Sequence, residues 1–175
     1  TRTLGHVNGW LQKTISATGS NIMRYFEIGD ATNFTPARFQ FASVTAAGNI
    51  TARTVSGEHP NVLTSFIDPT DDVNRYWELR SSGGFAYSIV SGYNATFKFI
   101  NPGDLDQTAN TLSYRINIHN GTTWDSTTAG TRTVDSTQAT GIDSLGTFAV
   151  GMQTSNGMYR TKGSGRWTEW WNVWE

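Results

Sequence analysis

A chain of 175 residues with 13 Lys plus Arg against 14 Asp plus Glu can bury one sizeable core. Its net charge of −1 is too small to gather nucleic acid or anionic lipid through a long-range field. The absence of cysteine excludes disulfides, thiolate metal sites and a cysteine nucleophile, and no run approaches the ~18 apolar residues of a membrane-spanning helix. Only 15% of residues are charged, against roughly 25% in ordinary soluble domains, and Thr, Ser, Asn and Gly are abundant, as on β-rich extracellular surfaces.

The first extended pattern, 5–15, puts Val7, Leu11 and Ile15 on one parity and Trp10 on the other, with Gly9 thinning its middle. Residues 22–28 suit a pleated surface, and Gly29 and Asp30 mark the exit. Over 38–44, Arg38, Gln40 and Ala42 alternate with Phe39, Phe41 and Ser43. Ala47, Gly48 and Asn49 then read as a turn into 50–55, making a hairpin of the two runs. Residues 57–72, with Pro60 and Pro69, read as a long loop. Val73, Arg75, Trp77 and Leu79 share one face of an expected central strand. Segments 93–100 and 111–118 alternate likewise, Asn120 and Gly121 signal a two-residue turn towards Trp124, and 131–135 and 147–152 complete the set.

Strands of this length, separated by turn signals and without an amphipathic helix in the body, predict an all-β fold. The expectation is an antiparallel β-sandwich of about nine strands, Ig-like or jelly-roll-like, over residues 1–153. A linker and a Trp-rich extension occupy 154–175 and carry four of the seven tryptophans. As a helix, Trp167, Trp170, Trp171 and Trp174 form one stripe. As a strand, Trp167, Trp171 and Val173 face one way and Trp170 and Trp174 the other. The β neighbours and the poor helix propensity of Trp, Thr, Asn and Val favour the strand. Following a Gly-rich turn at 162–165, this segment reads as a connector. Trp167, Trp170, Trp171, Val173 and Trp174 would contact a neighbouring subunit in a homo-oligomer or filament.

Candidate chemistry is sparse. His6, His59 and His119 fall in different predicted elements, with no HExxH spacing, and no GxSxG elbow occurs. They read as hydrogen-bonded or solvated histidines, and the chain reads as non-enzymatic, with no catalytic residues. Two acidic loops, 68–72 with Asp68, Asp71 and Asp72, and 101–106 with Asn101, Asp104 and Asp106, offer oxygen ligands of the kind calcium takes. Neither fits an EF-hand, and the same residue types also serve ordinary turns. No other cofactor or metal is implied. Trp77 reads as core. Trp10 and Trp124 read either as sugar-stacking platforms of a carbohydrate-binding module, with polysaccharide as partner, or as lids on the core edge.

Several short stretches carry a family resemblance: 26–30 (Phe-Glu-Ile-Gly-Asp) followed by 34–36, then 57–60 (Gly-Glu-His-Pro), 73–77 (Val-Asn-Arg-Tyr-Trp), 93–97, 121–124 and 146–151. In this order they resemble a repeat-type β-sandwich domain of large secreted or surface-anchored bacterial proteins, adhesin-like and often associated with type IX secretion. The resemblance spans 5–151 and implies an extracellular, cell-surface location without known catalysis. The triplets beginning at Asp125, Asp135 and Asp143 resemble the O-glycosylation acceptor motif of the same bacterial group. The expected role is a structural or adhesive building block of a surface fibre or large surface protein.

Overall fold

In the computed structural model, which describes residues 5–16, 18–106 and 110–154, the alternating segments become strands of two packed antiparallel sheets. In chain order the strands are β1 (Val7–Asn8), β2 (Leu11–Ile15), β3 (Gly19–Phe26), β4 (Ile28–Gly29), β5 (Ala37–Ala46), β6 (Gly48–Ser56) and β7 (Ile67–Ser82). They continue with β8 (Ala86–Tyr87), β9 (Tyr93–Lys98), β10 (Arg115–His119), β11 (Trp124–Ser126), β12 (Thr128–Thr133), β13 (Ser136–Ile142) and β14 (Thr147–Gln153). One six-stranded sheet has the order β11-β10-β14-β7-β6-β2. The other has β12-β13-β9-β5-β3, with β8 as a sixth strand on β5, and β1 and β4 form a short parallel ribbon. Trp167, Trp170, Trp171, Val173 and Trp174 lie outside the described residues. No helix among the described residues is long and apolar enough to cross a membrane.

The β-sandwich is as expected, and β7 is internal to its sheet, flanked by β14 and β6. Val73, Arg75, Trp77 and Leu79 all point inward at 3% exposure or less. Trp77 is the hub of the core. Its ring stacks on Phe97 at 4.9 Å, Phe97 meets Phe148 at 4.8 Å, and its Nε1 donates to Thr35 O at 3.2 Å, so the one polar atom of the indole is satisfied.

Several local expectations change; among them, residues 111–113, read as the start of a strand, form a short 3-10 helix ahead of β10. The 38–55 hairpin does not form: β5 and β6 belong to opposite sheets, joined through Ala47. Each has an apolar face, Phe39 and Phe41 on one and Ile50 and Ala52 on the other, and the two faces cover a single core from opposite sides. Gly48 is required at this crossing, since a Cβ there would lie 2.3 Å from Phe85 N. The loop read over 57–72 is shorter, because β7 starts at Ile67 and carries Pro69 through an irregular stretch. There β14 pairs only through Gln153↔Ile67 and Gly151↔Asp72. The strand read over 5–15 breaks at Gly9, whose φ is +116°, leaving Val7 36% exposed while Ile15 is fully buried. The turn before Trp124 has four residues, since His119 pairs with Trp124, and Asn120 Oδ1 accepts from Thr122 N and Thr123 N, both at 3.0 Å. A strand not anticipated, β13, has only Thr137 and Ala139 as its central buried positions, too weak an apolar signal to read as alternation.

Candidate functional site

Charged groups converge near the middle of β7. Arg75 alternates inward with Val73 and Trp77 and is 1% exposed, so its guanidinium needs internal partners. Its Nε and Nη2 donate to Asp104 Oδ2 and Oδ1 at 2.8 and 3.0 Å, the planar fork-to-fork match of guanidinium and carboxylate. Nη2 also donates to Asp30 Oδ2 at 2.6 Å, and Nη1 to Thr54 Oγ1 at 3.4 Å. Asp104 further accepts Ile100 N at 2.8 Å, and Asn74 N donates to Asp104 O at 2.7 Å, which pins the 101–106 loop onto β7. Burial raises the Asp30 pKa, but hydrogen bonds from Thr32 N, Arg75 and Asn33 N outweigh it and hold the carboxyl well below its usual range.

The pinned loop carries Asp106 to Asp72 and Asn74 of β7. Val73 and Leu105 form a bridge, and the Asp106 carboxylate accepts Asp72 N at 3.4 Å and the Asn74 side-chain amide. From the other direction, Gly57 N donates to Asn74 O at 2.8 Å, and Gly57, at φ +98°, turns the chain into Glu58. One carboxylate oxygen from each of Glu58, Asp72 and Asp106 then lies within 4.8 Å of the others. Asp72 is only 2% exposed, and its Oδ1 has no hydrogen-bond partner among the described residues. Burial, then the charge of Glu58 and a side-chain hydrogen bond with it, then the same two effects from Asp106, push the Asp72 carboxyl far above the usual carboxylate range. Burial also raises Glu58, against a lowering by its hydrogen bond with Asp72 and with the charge of Asp106 adding to the rise. No ion pair among the described residues reaches any of the three. Behind Asp72 runs β14: a Cβ on Gly151 would sit 2.4 Å from Asp72 Cβ and 2.6 Å from Ile67 Cγ2.

The two acidic loops therefore do meet, but through one residue each. Asp72 and Asp106 enter the cluster. Asp68 caps its own turn by accepting Thr70 N at 2.9 Å, Asp71 accepts the Tyr114 hydroxyl at 3.1 Å, Asp104 holds Arg75, and Asn101 Nδ2 donates to Val134 O at 2.7 Å. Glu58 was not foreseen. It lies in a segment legible only as turn chemistry, and nothing in its spacing points to Asp72 or Asp106.

The tryptophans part company. Of the two readings of Trp124, its surroundings match the lid on the core edge: it is 7% exposed, its Nε1 donates to Asn61 O at 3.0 Å and Thr64 Oγ1 at 3.2 Å, and His59 and His119 pack on it at 4.7 and 5.0 Å. His59 Nδ1 accepts Asn61 N at 3.1 Å, so its proton sits on Nε2, 2.7 Å from Thr147 Oγ1. Burial, then the neighbouring His119, lowers the His59 pKa to about 4 against an opposing pull from Glu78. His6 Nε2 lies 2.6 Å from Asp30 O. Trp10 stays at the surface, 37% exposed, against the guanidinium groups of Arg53 at 4.5 Å and Arg80 at 4.3 Å, both of which pair with the buried Glu78.

A concavity of about 350 Å³ lies on the outer face of the other sheet. The register aligns Tyr25, Arg38, Thr96 and Gln138 across β3, β5, β9 and β13. Thr96 Oγ1 accepts Arg38 Nη2 at 3.4 Å and Gln138 Nε2 at 3.3 Å, which orients the row. Compared with protein-family models, curated proteins and solved structures, the chain matches none of them.

Proposed function

We propose that the protein is a non-enzymatic, extracellular building block of a bacterial surface fibre or large adhesin-like surface protein, joined to identical subunits by its Trp-rich segment. The observation that supports this reading is the edge of the second sheet. Among the described residues β3, eight residues long, pairs with β5 alone, and it exposes Met23 and Tyr25 at 47% and 43%. An edge strand can take an added strand through backbone hydrogen bonds, and aromatic side chains on that strand would supply the anchors. The buried charges serve the scaffold: Arg75 ties Asp30 and Asp104 to β7 rather than facing a cleft. The test is deletion of 158–175 followed by electron microscopy and light scattering. Loss of polymers with retention of a folded monomer is expected. Polymers that persist without this segment refute the reading.

A second reading, carbohydrate binding, is favoured by the outer-face row. An exposed Tyr beside an oriented Arg, Thr and Gln combines a stacking surface with fixed hydrogen-bonding groups, the usual make-up of a polar-ligand groove. Calorimetry and pull-down with a polysaccharide panel test it. Binding that falls at least tenfold in Tyr25→Ala and Arg38→Ala is expected, and empty pull-downs with the parent protein refute it.

A further inference from the structure

We propose that Glu58, Asp72 and Asp106 bind one calcium ion, which ties the β6–β7 connection and the 101–106 loop to the first half of β7. The inference is independent of the assembly reading above. It rests on two separate observations. Three carboxylates from three chain segments bring oxygens within 4.8 Å of one another, without a cationic side chain pairing with them among the described residues. The central one, Asp72, is 98% removed from solvent by its 2% exposure, yet its Oδ1 has no hydrogen-bond partner among the described residues. A buried carboxylate oxygen without a donor is costly, and two further carboxylates beside it make a cation a better partner than a neutral donor.

The chemistry of the donors selects the ion. All three are hard carboxylate oxygens with no nitrogen or sulfur among them, which suits calcium or magnesium over zinc or copper. One ligand is buried and two are exposed, Glu58 and Asp106, so the cluster opens to water that can complete a coordination shell of roughly six to eight oxygens. Ligands drawn from a strand and two irregular loops match the flexible shell of calcium better than the rigid octahedron of magnesium. The local backbone is arranged around this point. Gly151 leaves room for Asp72, Arg75 with Asp104 anchors the loop that presents Asp106, and Asn74 holds both flanks through its side chain to Asp106 and its carbonyl to Gly57 N.

The experiment uses the full chain, stripped with EDTA and dialysed. CaCl2 or MgCl2 is then added, with thermal unfolding, calorimetry and terbium luminescence as readouts. At about 100 times its Kd, calcium is expected to raise Tm by roughly 5–10 °C, and terbium bound near Tyr114 is expected to luminesce and be displaced by calcium at far lower concentration than by magnesium. Asp72→Asn is expected to abolish the shift, and Glu58→Gln, an exposed position that does not threaten folding, to weaken calcium at least tenfold. Asp125→Asn, on β11, is expected to leave the response unchanged. No heat and no Tm shift with calcium in the parent protein would overturn the proposal. So would a parent-like calcium affinity in Glu58→Gln, whether or not Asp72→Asn folds.

Discussion

Replacing Arg75 by Met keeps most of the side chain's volume in the core and removes only its charge and five N–H donors. The carboxylate it leaves behind, Asp104, has a side chain only 7% exposed, and Asp30 loses its 2.6 Å partner as well. An uncompensated buried charge of this kind costs about 3–5 kcal/mol, whereas a surface pair such as Lys98 with Asp135, 47% and 37% exposed, is worth about 0–1 kcal/mol. For a chain of this size each kcal/mol moves Tm by about 2–4 °C, so Arg75→Met is expected to lower it by roughly 6–20 °C, and Lys98→Met by at most ~4 °C. The decisive measurement is a double-mutant cycle in urea. Asp104→Asn alone is destabilising because Arg75 loses its bidentate partner. In the Arg75→Met background it is stabilising, because Asn still accepts Ile100 N while the stranded charge disappears. If Asp104→Asn destabilises both backgrounds equally, the buried pair is not what holds the loop, and the reasoning fails.

Gly151→Ala is expected to cost about 1–3 kcal/mol, because its Cβ meets Asp72 Cβ at 2.4 Å and strand backbone cannot give way; a Tm within 1 °C of the parent would show that the strands can part. Asp30, its pKa lowered by the Thr32 and Asn33 amides and Arg75, binds fewer protons in the folded state than in the unfolded state. Its contribution, about 1–3 kcal/mol, is present above the unfolded pKa of ~3.9 and is lost as pH falls towards the folded value. The stability gap between the parent and Asp30→Asn, measured in urea, should therefore be constant above about pH 5 and shrink below about pH 4; a gap that widens on acidification contradicts the sign. The His59 imidazole, buried between Trp124, His119 and Tyr76, should titrate near 4 by NMR and remain neutral at pH 6; a value of 6.5 or higher would mean that its ring is solvated.

Alternation along single strands was enough to read which residues face inward. Phe39 with Phe41, and Val73, Arg75, Trp77 and Leu79, are buried as the period of two requires, and the sandwich follows from many such segments without an amphipathic helical pattern between them. That period is a local property of the pleat and says nothing about partners. Whether β5 pairs with β6 or faces it across the core depends on where the apolar faces of all the other strands go, and a turn signal at Gly48 serves either outcome. Trp124 shows the same limit: its position after a turn is legible, while its burial is set by the 59–64 segment folding over it. The acidic loops were visible as turns, but the meeting of Asp72 and Asp106 with Glu58 was not. It requires the Arg75–Asp104 pair to fix one loop and a left-handed Gly57 to aim the other, both of which exist only once the chain has closed on itself.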